Sequence, residues 1–245
     1  MTISQHLEEM RIRIIRCIVY ILIGAFAAMF FLDEILYILK LPSKDLIANF
    51  LILKPTESIT IYIKTALFSG LIAAIPFIFW EIFNFIKPAS NNKNEYVLKW
   101  AFIAFFLFIC GGVFVYFAVL PKAIAFLMFL SKGLTNSQVQ ITLTSYISFT
   151  MALLLCGSLI FQIPLAAFIL TKIGLINPIM LTSKRKEAYF VLIVAAAIIT
   201  PTTDVFSMAL FVIPMLFLYE IGVIFSKSVY KSKIFKGGEV YERQN

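Results

Sequence analysis

The sequence predicts an all-α, polytopic membrane protein of six transmembrane helices with both termini on the inner side of the membrane, and three observations predict it. The 245 residues are 61% hydrophobic and only 14% charged, more apolar side chain than one water-soluble core of this size could hide. The charge-poor residues fall into six runs. Lys and Arg gather in alternate gaps between those runs, as they do where a chain crosses a bilayer back and forth.

The elements follow in order. Thr2 can start a helix with Gln5 as its capping-box partner, and Ile3, Leu7, Met10 and Ile14 then share one face while Glu8, Glu9, Arg11 and Arg13 occupy the rest. Without an A-x-A site after its apolar run, this opening does not read as a signal or transit peptide. A helix rises 1.5 Å per residue and must cross about 30 Å of hydrocarbon, so roughly 20 residues are needed. The first run reaches that length over 14–32 by taking in Ile14, Ile15 and a snorkelling Arg16. Spans over 65–86, 97–120, 147–171 and 205–225 satisfy it directly, whereas the fifth, 188–200, covers only about 20 Å and is expected to be shielded by protein or to thin the bilayer. Residues 226–245 form a basic inner tail, and the outer loops, 33–64 and 121–146, are expected to carry short helices on the outer face. Pro76, Pro164 and Pro214 should kink the second, fourth and sixth spans. The whole chain, 1–245, reads as a single membrane domain.

Charge sets the direction. Of the 21 Lys and Arg residues, fifteen fall on one side: Arg11, Arg13 and Arg16; Lys87, Lys93 and Lys99; Lys172, Lys184, Arg185 and Lys186; and Lys227, Lys231, Lys233, Lys236 and Arg243. The remaining six, Lys40, Lys44, Lys54, Lys64, Lys122 and Lys132, lie opposite, which puts both termini inside. The net charge of +8 is therefore membrane-flanking charge, and no nucleic-acid partner is expected.

What chemistry is missing narrows the function. His6 is the only histidine, which argues against His-paired serine proteases, HExxH metalloproteases and bis-histidine haem bundles. No GxxxxGK[ST] loop is present. Cys17, Cys110 and Cys156 lie in or beside apolar runs without paired spacing and read as small hydrophobes, not as a disulfide or metal site. The expectation is a non-enzyme without metal or cofactor. Any work must draw on binding energy, a partner or a transmembrane gradient. Polar groups within the apolar runs need an account. Glu81 and Glu220 lie a turn or two from the inner ends of their helices and are expected to snorkel. Gln162, two residues before Pro164, either satisfies backbone groups freed by the proline or meets a partner helix. Taken alone, the N-terminal segment is an ordinary interfacial helix and Glu95, in NNKNEY, a solvated loop residue.

Five segments, in order along nearly the whole chain, carry a resemblance. HLEEMRIR at His6–Arg13 resembles the HLxELRxR opening of the TatC family. FNFIKPA at Phe83–Ala89 is similar to the end of that family's second helix, and GGVFVYFAVLP at Gly111–Pro121 to its third-helix signature. FQIPLA at Phe161–Ala166 resembles its fourth-helix FExP motif, and TPTTDVFS at Thr200–Ser207 its TPxD turn between helices five and six.

The resemblance implies a cup-shaped six-helix receptor that binds the twin-arginine signal peptides of folded precursors. With TatA- and TatB-type single-span partners it moves them across the membrane on the proton-motive force, and it assembles as a homo-oligomer within the receptor complex. It implies signal-peptide binding by Glu9 and Glu95, with Arg11 and Phe85 at functionally sensitive positions. Pro42, Gln162, Pro164 and Asp204 take partner or structural positions. The physical fit is good, because paired carboxylates accept the planar donor forks of adjacent arginines. Gln162 stands where many bacterial members carry glutamate, the loop 88–95 is one residue longer than their common form, and TPTTD has one extra residue before its aspartate. A chain rich in Phe, Ile, Lys and Asn, with these features, is similar to plastid-encoded algal members, implying the thylakoid membrane, with a bacterial inner membrane as the alternative. The rival reading is an ion- or solute-coupled transporter, which would place charges deep in several broken helices.

Overall fold

The computed structural model describes residues 3–44, 47, 50–86, 95–134, 141–199 and 205–242. Its elements are α1 (Ile3–Ala28), a 3-10 turn (Met29–Phe31), α2 (Leu32–Lys40), a second 3-10 turn (Leu41–Ser43), β1 (Phe50–Leu51), α3 (Pro55–Ile86) and α4 (Glu95–Phe114). A π-turn (Val115–Val119) then leads into α5 (Leu120–Leu134), β2 (Ile141–Thr142), α6 (Leu143–Ile160), α7 (Ile163–Ile173), α8 (Pro178–Ser183), α9 (Arg185–Ile199) and α10 (Val205–Glu242).

This is the six-span membrane bundle that the apolar runs predict. Helical segments at Leu7–Ser43, Pro55–Phe85, Val97–Ser131, Leu143–Ile173 and Val205–Tyr230 are long and apolar enough to cross a bilayer, and the remaining span, α9, is short, as expected. Its 15 residues rise about 22 Å. Large apolar side chains such as Phe30, Phe102, Phe117, Ile198 and Ile213 stand fully outward, the reverse of a water-soluble protein and the arrangement lipid requires.

The chain forms two compact units, residues 1–155 and 156–245. In the first, α1 packs chiefly along α3, which also packs on α4 and α2. Gly24 and Gly70 make the α1–α3 approach possible: a Cβ on Gly70 would lie 2.4 Å from the Ala25 amide nitrogen, and one on Gly24 would lie 2.8 Å from the Gly70 carbonyl oxygen. The outer loops do carry short helices, α2 and α5, which are direct continuations of spans one and three. α2 is tied down by Tyr116, whose hydroxyl donates to the Ile38 carbonyl at 2.6 Å, and by buried Tyr146, which donates to that of Leu39 at 2.7 Å. A two-residue parallel pairing, Phe50 with Ile141 and Leu51 with Thr142, joins the same loops.

In the second unit α7 lies along α10, with Gly222 against Pro164 and Ala167 and a hydrogen bond of 2.6 Å between the buried hydroxyls of Thr171 and Ser226. α7 stops at Gly174, whose φ of 86° is a left-handed cap that glycine adopts at least cost. Asn177 caps α8, its side-chain oxygen accepting from the Ile179 amide at 3.0 Å.

One expectation needs correction. Pro164 does more than kink the fourth span. The helix ends at Ile160, turns through Phe161–Gln162 and restarts with Pro164 in its first turn, because proline cannot donate to the carbonyl four residues back. Most of the basic segment 226–245 is helical, α10 continuing to Glu242. No proline interrupts it after Pro214, so a helix already nucleated in the membrane continues beyond it, through Gly237 and Gly238.

Candidate functional site

The inner ends of α1 and α3 hold a chain of alternating charges. Arg13 is at its centre, with Nε 3.1 Å and Nη2 2.6 Å from Oε1 of Glu9, one turn earlier on α1. Its Nη1 donates to Oε2 of Glu81 on α3 at 2.6 Å and, more weakly, to the Glu81 carbonyl at 3.4 Å. Arg16 adds an Nη1 at 3.5 Å from the other oxygen of Glu81. Side-chain exposure falls along the series, from 26% at Glu9 through 20% at Arg13 to 6% at Glu81.

Register explains why these residues meet. Gly24 touches Gly70 and Arg13 touches Glu81, so each step toward the inner end of α1 is matched by one along α3. The tilted pair of Tyr20 and Phe77 rings, with centroids 5.3 Å apart, lies between those points. Continued inward, the same register sets Glu9 at the level of Phe85, in the last turn of α3. On α1 itself, Glu9, Arg13 and Arg16 are spaced by four and three residues and share the face toward α3.

Snorkelling was the expectation for Glu81, and the structure overturns it. The side chain turns to α1 because two guanidiniums there, at its own depth, compensate a buried carboxylate better than a stretched path to the interface. Only the coincidence of Arg13 and Arg16 near the inner end of one span with a carboxylate near the inner end of the next could have signalled this pair. Glu220 likewise is held by neighbours: its Oε2 accepts from Arg185 at 2.8 Å and its Oε1 from the Tyr189 hydroxyl, while Tyr219 donates to the Leu181 carbonyl at 2.8 Å. These bonds fasten the α8–α9 segment to α10.

The other sequence candidates are placed as follows. Arg11 is exposed and, two residues from Glu9, points roughly 200° away around α1, so it does not join the Glu9 cluster. Phe85 is half-buried. Glu95 opens α4, the antiparallel partner of α3, which sets its backbone at the same end of the hairpin as Phe85. Pro42 sits in the 3-10 turn after α2, beside buried Ser43, and so at the outer end. Gln162 is the half-buried cap residue of α7 and makes no side-chain capping bond, and Pro164 is buried. Asp204 and the start expected at Thr2 lie outside the described residues.

Comparison with known proteins agrees across the chain. Residues 5–214 match the family Sec-independent protein translocase protein (TatC). The TatC protein of Carboxydothermus hydrogenoformans is 33% identical over 238 residues, covering 97% of both chains. That of Aquifex aeolicus is 35% identical over 241 residues, with 95% of this chain and 98% of the relative covered. TatCd of Bacillus subtilis is 33% identical over 230 residues, covering 94% and 93%. The crystal structure of a twin-arginine translocase receptor, TatC, superposes with a TM-score of 0.81 at 34% identity, covering 92% of this chain and 99% of that one. With so much of its length matched in both sequence and fold, the chain belongs to the TatC family of Sec-independent protein translocase proteins.

Proposed function

We propose that this multi-pass membrane protein is the receptor and core subunit of a twin-arginine translocase, binding twin-arginine signal peptides at the inner ends of α1, α3 and α4. The observation that carries the reading is the clasp on Glu9. This partly exposed carboxylate already accepts two hydrogen bonds from one guanidinium, so the geometry an arginine needs is built in. Its Oε2 takes no hydrogen bond from a described residue. Glu95 supplies the second acceptor, half-buried Phe85 an apolar wall level with Glu9, and exposed Arg11 contacts the flanking segment of the precursor. Among the described residues, the ion pairs lie near helix ends, which does not favour the solute-transporter alternative.

TatA- and TatB-type single-span proteins are the partners in this reading, with the proton-motive force as energy source and a homo-oligomer of the chain in the receptor complex. Gln162, Pro164, Pro42 and Asp204 serve partner docking or local shape, and the two compact units work as one membrane domain without catalysis. The Phe, Ile, Lys and Asn bias supports a plastid thylakoid location, and the bacterial relatives support a bacterial inner membrane; immunolocalisation in the source cell decides between them.

The test is binding of a fluorescent twin-arginine signal peptide to the purified chain, with a twin-lysine peptide as control and photo-crosslinkers at positions 9 and 95. Glu95→Ala removes one acceptor and should weaken binding several-fold, whereas Glu95→Lys repels the arginine pair and should weaken it by more than about tenfold. Equal binding by wild type and Glu95→Lys removes Glu95 from the site. Equal binding of the two peptides rejects the receptor reading.

A further inference from the structure

We propose that Arg13 is an internal occupant of the Glu9 acceptor, and that Glu81 is the second carboxylate onto which Arg13 withdraws when an arginine of the ligand takes Glu9. The inference rests on the reading of Glu9 as an arginine acceptor, and goes beyond it by assigning roles to Arg13 and Glu81.

Geometry supplies the path. One guanidinium bonds both carboxylates at once: Nε and Nη2 serve Glu9, and Nη1 serves Glu81 and its carbonyl. Withdrawal therefore needs a change of side-chain torsions but no helix movement, because the Glu81 bond that would receive Arg13 is already made at 2.6 Å. The guanidinium keeps a partner throughout, which avoids the large cost of a buried unpaired charge.

Burial sets the order of exchange. Glu9 is the more exposed carboxylate, with 26% of its side chain accessible, whereas Glu81 has 6%, so an incoming guanidinium reaches Glu9 and not Glu81. The described cluster pairs two carboxylates with two guanidiniums, leaving no spare negative charge for a ligand arginine unless an occupant yields one. Yielding favours a planar fork that can replace the two bonds Arg13 gives up, and a lysine ammonium, a point charge, replaces them poorly. The occupant thus lowers apparent affinity for every ligand while raising discrimination against lysine.

The experiment titrates the full chain, in detergent or nanodiscs, with labelled twin-arginine and twin-lysine signal peptides. Glu81→Gln removes the refuge, so Arg13 should hold Glu9 more tightly and twin-arginine binding should weaken about tenfold. Glu81→Asp, which keeps the charge, should bind within about threefold of wild type. Arg13→Gln combined with Glu81→Gln removes occupant and refuge together, leaves no uncompensated charge from the pair, and should bind at least as tightly as wild type with reduced preference over twin-lysine. A strut between α1 and α3 predicts the opposite, a double variant as weak as Glu81→Gln or weaker. That outcome overturns the proposal, as does wild-type binding by Glu81→Gln. If Glu9→Gln binds as well as wild type, the acceptor reading itself fails and the exchange with it. Thermal unfolding of each variant identifies weak binding that comes from misfolding, and the neutral double variant decides the matter if Glu81→Gln alone does not fold.

Discussion

Gln162 carries a side-chain amide, able both to donate and to accept, at the break in the fourth span. It precedes Pro164 at the restart of the fourth span and makes no capping bond to the α7 amides. Its identity was plain in the sequence as an odd polar residue. That the helix breaks there was not, because a proline two residues on predicts a kink as readily as a break. Interhelical polar contacts in membranes are worth about 0.6 to 2 kcal/mol. Gln162→Leu is therefore expected to weaken association with a single-span partner by roughly 3- to 30-fold, read by partner crosslinking, and to leave signal-peptide binding unchanged. Normal crosslinking would return Gln162 to a purely local role. Arg13 poses the converse case. Removing it alone as Arg13→Met leaves Glu81, at 6% exposure, with only Arg16 nearby, and should destabilise the protein by about 3 kcal/mol in denaturant unfolding in detergent. Arg13's partner on α3 could not be read from local sequence, since Glu81 is 68 residues away.

Helix pairs in this protein meet through small residues, and the closeness of each approach ranks what substitution costs. At the α1–α3 crossing a Cβ on Gly70 would fall 2.4 Å from backbone, which cannot rotate out of the way. At the α7–α10 crossing a Cβ on Gly222 would meet the Ala167 side chain at 3.1 Å, where a shift of a few tenths of an ångström suffices. Gly70→Ala should thus lower the unfolding midpoint far more than Gly222→Ala. It should also weaken signal-peptide binding, since parting the helices takes Glu81 from Arg13. A larger loss of stability for Gly222→Ala would contradict the ranking. Gly174 has open space around it, and Gly174→Ala should cost only the backbone penalty of a left-handed residue, about 1 kcal/mol.

Over the whole molecule, charge and thickness govern how the chain sits in its membrane. The excess of Lys and Arg on one side predicts that a cysteine placed at Lys184 or Lys93, in a background lacking Cys17, Cys110 and Cys156, is labelled only from the inside. Labelling from the outside would overturn the topology. Glu9, Glu95 and Phe85 became site candidates only through the family resemblance, whereas the sequence by itself determined the six spans, their alternation and the short fifth crossing. Those follow from length, hydropathy and charge within single segments, and a bilayer makes each segment satisfy its own backbone. Tertiary structure alone decided the break at Gln162, the pairing of Glu220 with Arg185 and Tyr189, and the placing of Arg13 between Glu9 and Glu81. The break depends on the backbone donor that Pro164 lacks and the pairings on helix register, and register is set where residues far apart in the chain touch, as Gly24 touches Gly70, a contact to which no single window of sequence refers.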